Sequence, residues 1–523
     1  MTGNENIQKK GGLMTLSRLI WRTLLTAAVV TAAHLTVANA AVPQPVRGGE
    51  AVFGLEADWH PLDPLRADAV NDTDVDGAIY GTLLNVTPKG EIAPGLAAGY
   101  TVSADGLTYN LALRPGVVFQ DGTKFDADAV KFNLDRELDP KNDCWCRSFI
   151  SAISSVETKG PDHVILHLSK PYAPLPYSLA GIFGGLVASP TAIQKYGKDY
   201  ANHPVGAGPF RFVSQQPGNY VTMERWDGYW DKEHPYLDKV TFRAIPDSQA
   251  RYGSLLSGAI QSSENAGFRQ VQEAKGNKAV EVQVIPGLGT IFAMFDMKHP
   301  PFDKVEPRRA VGYATNFAVL NKGLYHDLFT PVQSPFPPAS WAHQDKVPGY
   351  PNYDLAKARE MVKQMGGLSF TLQVQNSPDV VQLAEALQSE WRQAGMNVTI
   401  KQADQVAVIN AAHDLTYQAE LYRWRGAFDP GLSVSPFFSC NSSFNHVGLC
   451  DKDLDAMMQE GIAEPDRTKR LAIYRKVDAK LAGIFPYDFL YVADWWRILS
   501  PRLHGVPPMP DNSLDLTHAW LSK

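Results

Sequence analysis

Between Leu107 and Leu113 every second residue is apolar. Leu107, Tyr109, Leu111 and Leu113 fall on one side and Thr108, Asn110 and Arg114 on the other, which is the period of a half-buried strand. Asp105-Gly106 supplies a turn before it and Pro115-Gly116 ends it. The spacing then lengthens to that of a helix, with Asp126 placed as N-cap and Val130 and Leu134 on the inner face. The clearest helix is predicted over 378–394: Ser377 caps it, Pro378 takes the first position, and Asp379 complements the helix dipole. Leu383, Leu387, Trp391 and Ala394 form its apolar stripe, Gly395 stops it, and Val398-Thr399-Ile400 reads as the strand that follows. Another helix is predicted from about Pro465, with Leu471, Tyr474, Val477 and Leu481 facing inward and Gly483 ending it. Strand-like and helix-like runs alternate along the chain without repeats, low-complexity tracts or a long tether. That pattern predicts an α/β fold whose parts are joined by crossing strands.

The first forty residues do not fit the pattern. Arg18 and Arg22 precede an apolar stretch from Leu24 to Val37, and Ala38-Asn39-Ala40 has the small-x-small form of a cleavage site. This is the layout of a secretory signal peptide cut after Ala40, with either Met1 or Met14 as the start. The alternative, a membrane anchor, would need about 20 apolar residues. Removing the leader leaves 483 of 523 residues, too many for one core, so two or more lobes are expected. It also removes four Lys/Arg and one Glu, taking the net charge from −6 to −9. An acidic chain without a basic block argues against nucleic acid as partner. Leu175–Ala188, the next most apolar stretch, starts beside Pro176 and contains three glycines, so it reads as a buried wall of the protein.

An exported chain meets an oxidising compartment, where cysteines pair. Cys440 and Cys450 flank a polar loop, and a bridge there would contribute about 2–3 kcal/mol by restraining the unfolded chain. Cys144-Trp145-Cys146 reads either as two thiols on a surface loop or as one unusual bridge. Chemistry-bearing motifs are scarce. The chain has no Gly-x-Ser-x-Gly elbow, no His-Glu-x-x-His and no Cys-x-x-Cys pair. Gly287-Leu288-Gly289-Thr290 lacks the third glycine of a dinucleotide fingerprint and reads as a chain reversal or crossing point. His413 and His446 stand alone in sequence. No metal ligand set, cofactor or catalytic residue emerges.

Three blocks resemble the peptide/nickel branch of bacterial ABC-transporter solute-binding proteins, the dipeptide- and oligopeptide-binding family. They are DGLTYNLALRPGVVFQDGTKFDADAVKFNLDR (105–136); VGAGPFRF (205–212) with WDGYWDKEHPYLDKVTFRAIPDSQARYGSLLSG (226–258); and PPFDKVEPRRAVGYATN (300–316) with YDLAKARE (353–360). WRGAFDP (424–430), the Cys440 to Cys450 loop and DLDAMMQEG (453–461) extend the likeness to the C-terminal part. The resemblance covers nearly all of the chain after the leader, in the family's order. It implies a two-lobed, hinged periplasmic-binding-protein fold with an extra inserted domain. Residues 41–84, 201–286 and 493–523 would form a discontinuous first lobe, 85–200 the insertion, and 287–492 the second lobe. The chain would cross between lobes near Pro286 and near Trp495.

The function so implied is capture of a peptide-like or small organic ligand between lobes by a monomeric periplasmic protein. The ligand would then be delivered to an ABC permease in the inner membrane. Two other classes stay open: a secreted hydrolase with an unrecognised active site, and a ligand sensor on the same scaffold. Peptide-binding members hold the ligand's α-ammonium with an Asp three residues beyond a Trp resembling Trp424; here that position is Ala427, in a loop one residue shorter. Asp429 resembles a family-wide Asp-Pro pair whose role is capping a turn. Dipeptide-type members hold the ligand carboxylate with an Arg near the start of the 378–394 helix, where Val381 and Gln382 stand here. Losing both anchors changes the ligand, because an unpaired buried charge costs several kcal/mol. Peptide-like, opine-like and aromatic carboxylate ligands all remain compatible. Candidate pocket residues are Gly289 and Thr290, where the family contacts ligand with backbone, then Phe295 and Asp296, which replace a Phe-Asn pair. Trp424, Arg425, Phe438 and Tyr80 complete the set. Asp296 is read either as a cation partner or as a surface carboxylate, and Arg425 either as a carboxylate partner or as a solvated loop arginine.

Overall fold

In the computed structural model, which describes residues 44–523 apart from Asp68, Ala69, Asn441 and Ser443, the chain builds three principal sheets. A seven-stranded mixed sheet runs in the order Glu281–Ile285, Trp495–Leu499, Ser262–Ser263, Glu50–Leu55, Lys239–Ala244, Tyr220–Arg225, Phe210–Gln216. Its strands come from three separate stretches of sequence. A five-stranded sheet has the order Met396–Ala403, Leu368–Gln375, Ala419–Trp424, Thr290–Phe295, Tyr487–Val492. The third sheet is antiparallel, in the order Ala97–Val102, Thr108–Leu113, His163–Leu168, Ile153–Thr158. The first two sheets organise the two lobes, and the third lies in the sequence between strands of the first.

Local rules account for these elements. In Thr108–Leu113 the residues Tyr109, Leu111 and Leu113 are buried and those between them are not, as the period of two predicts. Asp126 accepts a hydrogen bond from the Ala129 N–H and caps the helix Ala127–Leu138, which packs Val130 and Leu134 against that sheet. Leu368–Gln375 and Met396–Ala403 pair in parallel, so the chain needs a crossover, and the helix Pro378–Gln393 supplies it with Leu383, Leu387 and Trp391 buried. Two terminus expectations change. Ser377 holds the N-cap position, but its side chain makes no capping hydrogen bond. The last long helix, Arg467–Ile484, is capped by Asp466 and passes Gly483; Phe485 ends it in the left-handed conformation (φ 54°). Burial of the Phe485 ring against Tyr350, 5.3 Å away, offsets the cost of that backbone state in a residue with a Cβ. Leu175–Ala188 forms a wall as read, with Leu175, Leu179, Ile182, Leu186 and Val187 buried. Both cysteine pairs are bonded, Cys440 to Cys450 and Cys144 to Cys146.

The two lobe sheets are joined where the chain passes from Ile285 to Thr290 and returns from Val492 to Trp495. Backbones meet closely here. The Gly287 N–H donates to Asp494 Oδ1 (2.9 Å), and the Ala493 N–H donates to the Gly289 carbonyl (2.9 Å). The Arg423 guanidinium lies 3.8 Å from the centre of the Trp495 ring. A Cβ on Gly289 would stand 1.7 Å from the Trp424 carbonyl oxygen. Only glycine fits, because the obstacle is backbone and cannot rotate away. Gly289→Ala is therefore expected to cost about 1–3 kcal/mol by overpacking and to weaken ligand capture by prising the crossing from the loop after Trp424. Urea denaturation together with ligand titration measures both, and unchanged values would contradict this account of the crossing.

Candidate functional site

The strand Ala419–Trp424 ends beside the crossing, and the next residues, Arg425–Phe428, turn before Asp429 caps the helix Pro430–Phe438. Asp429 Oδ1 accepts the Gly431 N–H (2.8 Å), and the Ser433 hydroxyl accepts the Ala427 N–H (3.2 Å). This anchored loop faces the helix Val70–Tyr80 and residues of the stretch 145–186. The cavity between them measures about 630 Å3, within the range of small-molecule sites. On one side it is lined by Thr73, Trp145, Phe149, Tyr177, Phe183 and Trp230; on the other by Trp424–Phe428, Phe437 and Phe444. The C-terminal segment adds Asp511 and Asp515.

Several contacts hold the two sides together at the rim. The Ala173 N–H donates to the Ile462 carbonyl (2.8 Å), the Tyr177 and Phe428 rings stack 6.2 Å apart, and Arg425 lies over the Phe183 ring at 5.3 Å. Arg425 is the one cationic side chain among the described lining residues. Asp511 Oδ1 accepts from the Ser513 N–H (3.1 Å) and hydroxyl (2.7 Å). The Trp424 ring rests on Phe437 at 4.3 Å, and its buried indole N–H has no hydrogen-bond partner among the described residues. Such a donor is costly to leave unmet.

Of the eight candidates read from sequence, Trp424 and Arg425 line this cavity. Gly289 lies behind them, its backbone against the Trp424 carbonyl, and Thr290 pairs with Trp424 in the sheet and is 1% exposed. Phe295 is in the core against Phe302 (4.7 Å). Asp296 is neither surface carboxylate nor cavity partner: it is buried, with Oδ2 2.7 Å from His299 Nδ1 and Oδ1 accepting the Lys298 N–H (2.8 Å). Phe438 packs on Tyr487 (4.9 Å) in the core, while its neighbour Phe437 takes the cavity side. Tyr80 is fully buried and donates to the Leu62 carbonyl (2.8 Å). Trp145, Phe149, Phe183 and the Met509–Thr517 segment escaped notice because no local periodicity marks them. Tyr229 and Trp230, an adjacent aromatic pair within the block 226–258, also line the cavity. Among the described residues no group of three or more His, Cys, Asp or Glu is placed to hold a metal ion. No helix among them is long and apolar enough to cross a membrane.

The middle region characteristic of the bacterial extracellular solute-binding proteins, family 5, matches residues 91–445. The chain belongs to that family. Among family 5 relatives, the glutathione-binding protein GsiB of Pectobacterium atrosepticum is 29% identical over 96% of this chain and 99% of its own. The solved structure of CtaP, an ABC transporter substrate binding protein of Listeria monocytogenes, superposes with a TM-score of 0.83 at 24% identity, covering 91% of this chain and 100% of that one. A dipeptide binding protein from Pseudoalteromonas sp. SM9913 in complex with Met-Leu gives 0.80 at 20% identity, covering 91% and 100%. As a family 5 protein, this chain has the two-lobed binding-protein fold and is an extracellular solute-binding protein.

Proposed function

We propose that the protein captures a carboxylate-bearing, peptide-like or other small organic ligand in this cavity and delivers it to an inner-membrane ABC permease. It would do so as a monomer exported behind a leader cut after Ala40, a segment outside the described residues, and without chemical turnover. The observation that carries the reading is Arg425, the one cation among the described lining residues, set in an aromatic-walled cavity between lobes. A guanidinium fits a carboxylate in two-point geometry. The relatives that carry glutathione and dipeptide names support a peptide-like ligand. Ala427 lines the cavity without a charge, so a free α-ammonium finds no partner at that point. Ligand touching both sides favours the closed arrangement, and a few kcal/mol of such preference shifts the population decisively.

A thermal-shift panel of α-dipeptides, glutathione, opines and aromatic acids, followed by calorimetric titration of the binders, tests this. Carboxylate-bearing compounds that need no ammonium anchor at Ala427 are expected to raise the melting temperature, and unmodified α-dipeptides are not. Arg425→Ala is expected to weaken binding about 10–100-fold, the loss of one charge-assisted contact. Stabilisation by α-dipeptides, or full affinity in the Arg425→Ala variant, would contradict the reading.

A further inference from the structure

Of all the tryptophans and phenylalanines among the described residues, only Trp145 and Phe444 are exposed, at 40% and 52%. Both line the same cavity, one from each side of the cleft. Each also sits inside a short disulfide-closed loop: Trp145 between Cys144 and Cys146, Phe444 between Cys440 and Cys450. The Trp145 indole is braced from behind. The His60 ring meets it edge-on at 4.9 Å, and buried Asp72 holds His60 through Oδ2···Nδ1 (2.8 Å) and by accepting its backbone N–H (2.8 Å). The Trp145 backbone N–H donates to the Leu65 carbonyl (3.3 Å). Further along the same wall Phe149 stacks on Phe183 at 4.2 Å.

Large aromatic faces are normally buried, so two left open on one cavity need a reason. A three-residue loop closed by a bond restrains little of the unfolded chain, so the Cys144–Cys146 bridge does not serve mainly as a stabiliser. What it does fix is the direction in which Trp145 points before any ligand arrives. Fixing it in advance removes an ordering cost from binding. We infer that Trp145 and Phe444, each presented by its own disulfide loop, form an aromatic subsite that selects ligands bearing a flat π group in addition to the carboxylate. The inference rests on the carboxylate reading above and adds the chemistry of the ligand's other end. Ring stacking favours an aromatic guest over a saturated one of equal size, since the saturated ring offers area without the quadrupole.

The test uses matched carboxylate pairs: hippurate against N-(cyclohexanecarbonyl)glycine, and S-benzylglutathione against S-(cyclohexylmethyl)glutathione. Affinities are measured by calorimetry on the whole protein. The aromatic member is expected to bind about 10-fold more tightly. Trp145→Leu and Phe444→Leu, at exposed positions that leave the core intact, should abolish that preference, while Arg425→Ala weakens both members of a pair alike. Cys144→Ala/Cys146→Ala should reduce the preference several-fold with little change in the melting temperature of the ligand-free protein. Equal binding of the two members, or equal losses for both in the leucine variants, would overturn the aromatic subsite and leave the carboxylate reading standing. A preference untouched by removing the bridge would overturn the presenting role of Cys144–Cys146. Failure of every carboxylate to bind would overturn both readings together.

Discussion

Arg470→Ala is expected to destabilise the second lobe by about 3–5 kcal/mol, because it leaves the Asp429 carboxylate buried and unpaired. Asp429 is fully buried and Arg470 nearly so. Their two-point contact has both N–O distances at 2.7 Å, and Arg470 Nε also donates to the Gly461 carbonyl at 2.7 Å. The pair therefore ties the helix Arg467–Ile484, and through Gly461 the helix Lys452–Ala463, to the residue that ends the cavity loop. Asp429→Leu combined with Arg470→Met should recover much of the loss, since removing both charges leaves neither stranded. Urea denaturation of Asp429→Leu, Arg470→Met and their double closes a mutant cycle. Singles within about 1 kcal/mol of the parent would show that water reaches Asp429 and that the pair is only a surface ion pair in effect. Ligand affinity is expected to fall in the singles as well, because Arg425–Phe428 hang between Trp424 and Asp429.

Elements whose information is local were legible in the sequence. The alternation through Leu107–Leu113 and the cap at Asp126 each follow from a few neighbouring residues, and both appear as read. Trp424 and Arg425 were legible through the WRGAFDP block, which places a loop in the cleft. Residues one step from a cavity position were not separable from it. Phe438 and Tyr80 are adjacent to lining residues Phe437 and Gly81, but helical phase turns them into the core. Asp296 looked like a free acid because its partner, His299, is supplied by the chain's next turn and not by any motif. Asp429 read as a turn cap, which it is; its second task depends on Arg470, forty-one residues away, and no local rule reports that. Trp145 and Asp511 reach the cavity only through tertiary contact, which single-sequence periodicity does not encode.

Stability is expected to fall as the pH rises from about 5.5 to 8, the reverse of the usual acid-denaturation trend for paired carboxylates. Four carboxyls, Glu420, Asp478, Glu390 and Asp488, are buried and make no ion pair among the described residues. Glu420 is fully buried, with one contact from Gln373 Nε2 (2.9 Å), and desolvation pushes it up to about 8. Desolvation likewise raises Asp478 to about 7, Glu390 to about 7 and Asp488 to about 6, against opposing hydrogen bonds from Gln344, the Asn316 N–H, and Thr315 and Tyr350. In the helix Ala127–Leu138 burial raises Glu137 to about 8. In the unfolded chain these groups lose their protons near pH 4, whereas the native state holds each until its own raised value, from about 6 for Asp488 to about 8 for Glu420 and Glu137. The native state thus binds more protons between these limits, and each such proton lowers stability by about 1.4 kcal/mol per pH unit as pH rises toward the folded value. His446 opposes this at the acid end: burial and then His413 depress it to about 4, so its contribution grows as pH rises to about 6.5 and then levels off. His446 thus offsets only one of the five protons below about pH 6.5, so the net decline runs through the whole interval and flattens as each carboxyl reaches its folded value. Calorimetric melting at half-unit steps should show it, and Glu420→Gln, which keeps the shape and removes the proton, should flatten the slope between pH 6.5 and 8. A melting temperature that holds steady or climbs over that interval would mean that water or rearrangement relieves these carboxylates in the native state.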